Sequence, residues 1–290
     1  IAVITNVDQD HMVTYGGDFD RLRQTFVEFL HHLPFYGLAV MCIDDDEVRK
    51  LIPQVTRRVI TYGEAEDADV RIVGIEQQGM QTSFKVQPGE EEPLEVSLNM
   101  PGKHNVLNAV AAITVALELG VERGSIQRAL RNFSGIGRRF QSRNFAWKQG
   151  DVMLIDDYGH HPREVAATIA AVRAGWPQRR LVLVFQPHRY SRTQEQFEDF
   201  AKVLSTTDVL LLSEVYAAGE SPISGADGRA LSAAIRARGK ITPIFVEQLE
   251  ELPQALSDVL ESGDVLLMMG AGSIGQAAVT LPELMQESSR

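Results

Sequence analysis

The chain has 290 residues, 44% hydrophobic and 23% charged, with a formal net charge of −11 at pH 7. This length supports more than one core, and an acidic balance without a long Lys/Arg run argues against a nucleic-acid partner or an anionic membrane surface. The single cysteine, Cys42, has no intrachain disulfide partner, and no apolar stretch reaches the ~18 residues of a membrane span, so a cytoplasmic address is expected.

The opening "IAVITNV" is β-branched and apolar, as a buried parallel strand tends to be, and lacks the basic lead of a signal peptide. It begins without Met inside a strand pattern, so residues preceding Ile1 are expected in the full protein. Asp18 is placed to cap a helix in which Phe19, Leu22, Phe26, Phe29, Leu30 and Leu33 recur at helical spacing. "GLAVMCID" reads as a second buried strand and "DDDEVRKLIP" as a short helix stopped by Pro53. Over residues 69–98 the apolar positions alternate, which predicts an antiparallel excursion. Helices are expected from about Asn105 to Leu119 and from Ser125 to Asn132.

"FSGIGRRFQ" (133–141) reads as a linker. Beyond it, "VMLIDD", "RLVLVFQ", "DVLLLSE", "ITPIFV" and "DVLLMMG" alternate with helical stretches. This pattern predicts an α/β fold with a doubly wound, largely parallel sheet. Two α/β domains are expected, residues 1–134 and 135–290. In such sheets ligands bind at the carboxyl ends of strands. "TNVDQDH", "DDYGHHP", "QPHRYSR" and "SEVYAAGE" each follow a predicted strand, so all four are candidate cleft segments.

"GAGSIG" (270–275) matches G-x-G-x-x-G but follows the last strand, with no room for the acidic residue expected about 20 positions later. It is read as a tight strand-to-helix turn. No G-x-x-x-x-G-K-[ST] phosphate loop occurs in the chain, and "PGKHN" has only its Gly-Lys. His104, Asn105 and Asn108, near the start of the next helix, suit either capping or recognition of a heteroaromatic base. "GRR" suits a solvated hinge or a phosphate contact. Arg189 and Arg192 are spaced to share a helical face, as surface charge or as a bidentate site for a small carboxylate. "DDYGHHP" by composition alone allows a metal cluster, an acid–base centre or a binding loop.

In order along the chain, "TN-V-DQDHM-TY-GDF", "PGKHN-LNA-AA", "GRRF", "DDYGHHP", "FQPHRYSRT" and "VYAAGE-P--G" resemble the Mur ligases. These are ATP-dependent amide-forming enzymes of peptidoglycan synthesis, and the resemblance spans nearly all of the chain. It implies part of a central P-loop-type ATPase domain followed by a Rossmann-like C-terminal domain that binds the amino acid. The family's phosphate loop is then expected ahead of Ile1. Within the family the likeness is greatest to the branch that joins L-alanine to UDP-N-acetylmuramate through an acyl phosphate. A lysine carbamylated in other branches is absent from "DFDRLRQTFVEFL", where Phe26 falls at about its place.

The resemblance further implies ATP and Mg²⁺, with His11 at the metal, although Mg²⁺ prefers oxygen ligands. It places His104, Asn105 and Asn108 at adenine, Arg138 beside Arg139 at the phosphates, and Asp157 at the ribose. Tyr158, His188, Arg189 and Arg192 are implied at the alanine, and His11, Arg138, His160 and His188 in catalysis. His161 is left to cap or pack, and Pro162 to start the following helix. Rival readings are a ligase that adds a whole tripeptide to the same acceptor and a non-catalytic nucleotide- or amino-acid-binding module. Without a phosphate loop, the 290 residues alone are expected to have no ligase activity.

Overall fold

The computed structural model describes residues 1–288, and the chain divides between Ser134 and Gly135 into two units. The first holds strand β1 (Ala2–Ile4), helix α1 (Phe19–His31), β2 (Leu38–Cys42), α2 (Asp46–Leu51) and β3 (Arg58–Gly63). It continues with β4 (Val70–Gln78), β5 (Gln81–Pro88), β6 (Leu94–Leu98), α3 (Lys103–Glu118) and α4 (Arg123–Asn132). Its sheet runs β1-β2-β3-β4-β5-β6, parallel from β1 to β4 and antiparallel from β4 to β6.

Strand β2 is buried along its length and feeds two cores, because successive side chains point to opposite faces. Leu38, Val40 and Cys42 pack in the layer of α3 and α4, whereas Ala39 and Met41 pack in that of α1 and α2. The Asp18 carboxylate accepts from the Asp20 and Arg21 N–H groups and caps α1 as its position predicts. Two expectations differ. The first strand is only three residues long, and Val3, on the opposite face from Ala2 and Ile4, is exposed. Residues 58–63 form β3 although no strand is expected there; its first four side chains are only partly buried or exposed, so the apolar signal is weak.

The antiparallel hairpin has a positional role. Gln77 at the end of β4 accepts from the Gly102 N–H at 3.0 Å, and Thr82 on β5 donates to Met100 O at 2.9 Å. Together they fix the turn that leads into α3.

The second unit contains β7 (Gln141–Trp147), β8 (Gly150–Asp157), α5 (Pro162–Gly175), β9 (Leu181–Phe185), α6 (Tyr190–Glu195), α7 (Phe197–Leu204) and β10 (Val209–Ser213). Then follow α8 (Gly228–Ala237), β11 (Ile244–Val246), α9 (Leu252–Val259), β12 (Val265–Met269) and α10 (Ile274–Ser288). The strand order is β11-β10-β9-β12-β8-β7, with every neighbouring pair parallel except β7 and β8. Helices α5, α7 and α8 line one face, while α9 and α10 pack on the other with Leu154, Val182, Val184, Leu266 and Met268. This is the expected doubly wound sheet, with the antiparallel edge strand β7 as an addition.

Strand β7 also repairs a defect in α10. Pro282 lies inside that helix and has no N–H for the carbonyl of Ala278, four residues back. Arg143 on β7 supplies the missing donor, bonding Ala278 O and, at 3.0 Å, Val279 O.

Candidate active site

In the second unit the functional segments leave the carboxyl ends of β8, β9, β10 and β12. Strand β8 runs through Asp157. Asp157 is 5% exposed. One carboxylate oxygen accepts from the Phe140 N–H at 2.9 Å and the other from the Gly159 N–H at 2.8 Å. It therefore clamps the arm entering β7 to the loop leaving β8.

That arm carries two non-glycine residues in left-handed backbone, Arg138 (φ 58°) and Phe140 (φ 51°). Such conformations persist where flanking bonds over-determine them. Here the Arg138 N–H donates to Gln141 Oε1 at 3.1 Å, and its carbonyl accepts from the Tyr158 N–H at 2.7 Å. The guanidinium then lies in a made berth. Nη2 donates to Gly270 O at 2.6 Å, Nε is 3.4 Å from both Asp156 oxygens, and the Tyr158 ring lies 5.1 Å away. Burial pushes the Asp156 carboxyl up, and Arg138 opposes that shift.

The berth explains "GAGSIG". A Cβ on Gly275 would come within 2.3 Å of the Arg138 guanidinium carbon, and one on Gly272 within 2.6 Å of both Gln186 Oε1 and the Tyr216 ring. Gly270 (φ 148°) lies against Gln186 O. The turn is tight, as read from the sequence, but its glycines also seat an arginine from elsewhere in the chain. Gln186, which the sequence reading did not single out, locks this turn by accepting from the Ile274 N–H and donating to Ser273 Oγ.

Tyr158, His160 and His188 come together. The Tyr158 and His160 rings meet edge to face at 5.3 Å, His160 and His188 lie 5.6 Å apart, and His188 stacks on Tyr216 at 5.4 Å. His160 Nδ1 lies 3.1 Å from Tyr158 O. A carbonyl only accepts, so Nδ1 carries a proton. The His160 and His161 N–H groups both donate to Glu164 Oε2, and His161 caps α5, which starts at Pro162. His188 Nδ1 is buried with no hydrogen-bond partner among the described residues. Burial, helped by the nearby His160, Arg192 and Arg189, lowers the His188 pKa to about 4. The ring is therefore neutral at pH 7.

The two arginines differ from the expected pair on one helical face. Arg189 stands just outside α6, at its N-terminus, in left-handed backbone (φ 71°), and is exposed. Arg192 lies within α6 and is 7% exposed. Around them the segment after β10 closes a clasp: the Tyr216 N–H donates to Pro187 O at 2.8 Å and its carbonyl accepts from the Arg189 N–H at 2.9 Å. Glu220 then accepts from the Ser191 N–H at 3.0 Å and hydroxyl at 2.6 Å. The motif "VYAAGE" was visible in the sequence, but nothing in its composition marks Tyr216 or Glu220 individually.

In the first unit the candidate residues are more open. His11 follows the edge strand β1, is exposed, adopts φ 56° and has Nε2 3.6 Å from Asp10 Oδ2. Helix α3 starts at Lys103, two residues before the expected point, and follows β6 at the other edge of the sheet. Asn105 Nδ2 donates to Pro101 O at 2.7 Å, so this side chain braces its own turn. His104 is half-buried and Asn108 exposed. Among the described residues no group of three or more His, Cys, Asp or Glu side chains could hold a metal ion. A six-coordinate, oxygen-preferring Mg²⁺ does not fit His11 and Asp10 alone, so no reaction step is assigned to a metal held by this chain.

Two α/β units of this kind, with arginine, histidine and tyrosine gathered at the carboxyl edge of the second, define a class. Residues 1–116 match the Mur ligase middle domain and residues 138–272 the Mur ligase, glutamate ligase domain; the chain belongs to the Mur ligase family. Its relatives include the UDP-N-acetylmuramate–L-alanine ligase of Halorhodospira halophila, 60% identical over 95% of this chain and 57% of that protein. The enzyme of the same name from Methylococcus capsulatus is 58% identical over 98% of this chain and 60% of its own length. Among solved structures, UDP-N-acetylmuramate-alanine ligase from Thermotoga maritima superposes with a TM-score of 0.77 at 27% identity, covering 99% of this chain and 59% of that one. A MurF ligase from the same organism in complex with ADP, at 20% identity and a TM-score of 0.74 over 100% of this chain and 62% of that one, shares the fold. The chain thus spans about six-tenths of the length of the relatives it matches.

Proposed function

We propose that the chain is the part of an ATP-dependent ligase that holds the adenine end of the nucleotide and the incoming amino acid. The ligase joins L-alanine to the carboxylate of UDP-N-acetylmuramate in peptidoglycan biosynthesis. In this reading residues 1–134 are the C-terminal part of the central ATP-binding domain and residues 135–290 the amino-acid-binding domain. The sugar carboxylate takes the γ-phosphoryl group of ATP, giving an acyl phosphate and ADP. The alanine amine, having lost a proton, attacks the acyl carbon, and phosphate leaves.

The supporting observation is the neutral His188 beside Arg189 and Arg192. Because the imidazole adds no charge at neutral pH, the two guanidiniums provide the positive field that a small carboxylate seeks, and Arg binds it bidentately. Tyr158 and His160 stand next to His188 and border the acyl phosphate and amine. In this reading His160 and His188 serve the proton that leaves the amine. Arg138 serves the phosphates from its berth, His104, Asn105 and Asn108 the adenine, and His11 a metal completed by groups outside this chain. For Asp157, a ribose hydroxyl would use the second lone pair of an oxygen that already accepts an N–H.

The names of the relatives at 58–60% identity favour alanine as the added unit. Likeness to a murein peptide ligase from Psychrobacter arcticus, at 19% identity, extends to the fold alone. ATP as a substrate makes the cytoplasm the implied compartment, and no helix among the described residues is long and apolar enough to cross a membrane.

The test uses the full-length protein and alanine-dependent ADP release. Arg192→Ala is expected to raise the KM for alanine by about tenfold or more, as loss of one charge-assisted contact would, while the KM for ATP stays within about twofold. Equal increases in both would remove the amino-acid role.

A further inference from the structure

Arg189 is a bulky residue held at φ 71°, where L side chains are strained. Such a conformation lasts only if the chain on both sides is tied down. On its N-terminal side the ties are the two backbone bonds between 187–189 and Tyr216. On its C-terminal side its own carbonyl accepts from the Thr193 N–H at 3.1 Å and hydroxyl at 2.9 Å, and Glu220 ties the first turn of α6 by accepting the Ser191 N–H at 3.0 Å and its Oγ–H at 2.6 Å.

Glu220 is itself presented by a tight turn. Its N–H donates to Ala217 O at 3.0 Å across Ala218 (φ 50°) and Gly219 (φ 87°). Burial acts to raise the Glu220 pKa, but the two Ser191 bonds and the nearby Arg189 charge outweigh it and the net shift is downward. The group is therefore a carboxylate at neutral pH. With His188 on one side of Arg189 and Arg192 a turn further on, the clasp fixes three side chains that act on the amino acid in the function proposed above.

We propose that Glu220 is a positioning residue: through Ser191 it ties the first turn of α6 to the segment after β10 and so sets where the His188–Arg189–Arg192 segment meets the amino-acid carboxylate. This rests on the amino-acid reading of that segment. Glu220 touches no substrate in this role. Without it, the first turn of α6 loses its tie to the segment after β10, the turn shifts with Arg189 at its head, and the two guanidiniums lose their common target.

The experiment measures KM for alanine, KM for ATP and kcat in the full-length protein for Glu220→Ala, Glu220→Gln and Ser191→Ala, with Arg192→Ala as reference. Glu220→Ala is expected to raise the alanine KM about tenfold with the ATP KM within about twofold. Glu220→Gln keeps one acceptor oxygen and should recover part of that loss. Ser191→Ala keeps its N–H bond and should give a smaller increase of about threefold. If Glu220→Ala is not recovered folded, Ser191→Ala carries the test, and an unchanged alanine KM there overturns the proposal. A merely structural role would lower the yield or Tm of Glu220→Ala and leave the alanine KM unchanged, or raise both KM values together; either result overturns the inference. If Arg192→Ala shifts the alanine KM and Glu220→Ala does not, only the positioning role falls. If neither does, the amino-acid reading falls with it.

Discussion

The two units solve the same problem differently. In the second, nearly every candidate side chain is also a brace: Asp157 ties two loops, Arg138 fills a berth lined by glycine, and His161 caps a helix while Glu164 receives two N–H groups. In the first, His11 and Asn108 are exposed, and apart from Asn105 the bracing comes from neighbours such as Gln77 and Thr82. In the function proposed above, rigid presentation of several groups towards one small ligand demands ordered loops, and the candidate residues themselves order those loops. A planar base at a helix start needs less, because the helix already fixes direction. Stability and binding should therefore be inseparable in the second unit and separable in the first.

The strongest way to break this contrast is Asp157→Ala. It deprives two backbone N–H groups of a charged acceptor in a buried setting, and a loss of ~3 kcal/mol is expected. Asp157→Asn should recover little, since its NH₂ would face one of the two donors. Thermal or denaturant unfolding reports the loss; a variant as stable as the parent would show that the clamp is incidental. Failure of either variant to turn over substrate is then no measure of a ribose contact.

A smaller effect is expected from His188, and its sign follows from the direction of the shift. The folded ring has a pKa of about 4, against 6.5 in a solvated chain. Below pH ~6.5 the unfolded chain takes up a proton that the folded one refuses, so stability falls as the pH drops to about 4 and then levels off. His188→Asn removes this contribution, and its stability should decline less steeply than that of the parent over the same window. Equal slopes would mean that His188 is not desolvated.

This contrast also accounts for what the sequence made legible. Motifs after strands β8, β9 and β10 stood out because their polar residues interrupt apolar runs, and the doubly wound sheet followed from the spacing of those runs. The helix cap at Asp18 and the Pro162 start depend on neighbours within a few residues, so local pattern was enough. Contacts across long stretches of chain were not legible. Nothing near Gly275 in sequence signals Arg138, 137 positions earlier, and nothing near Glu220 signals its tie to Ser191. Strand β3 escaped because partial burial blurs the alternation on which such readings depend, and β7 because only Phe145 and Trp147 of it are buried.

The smallest effect on stability is expected in the first unit, and it probes the other half of the comparison. Asn105 and Asn108 lie one helical turn apart, and the Asn105 amide bonds Pro101 O at 2.7 Å. Asn105→Ala should cost ~1 kcal/mol, the value of one ordinary hydrogen bond at a helix start. Asn108 is exposed, and Asn108→Ala should change stability by no more than about 0.5 kcal/mol. If Asn108 serves the adenine, the same variant of the full-length protein raises the KM for ATP several-fold while the KM for alanine holds. A loss above about 1 kcal/mol on Asn108→Ala would show that the first unit, too, builds its site from its braces, and the distinction between the units would close.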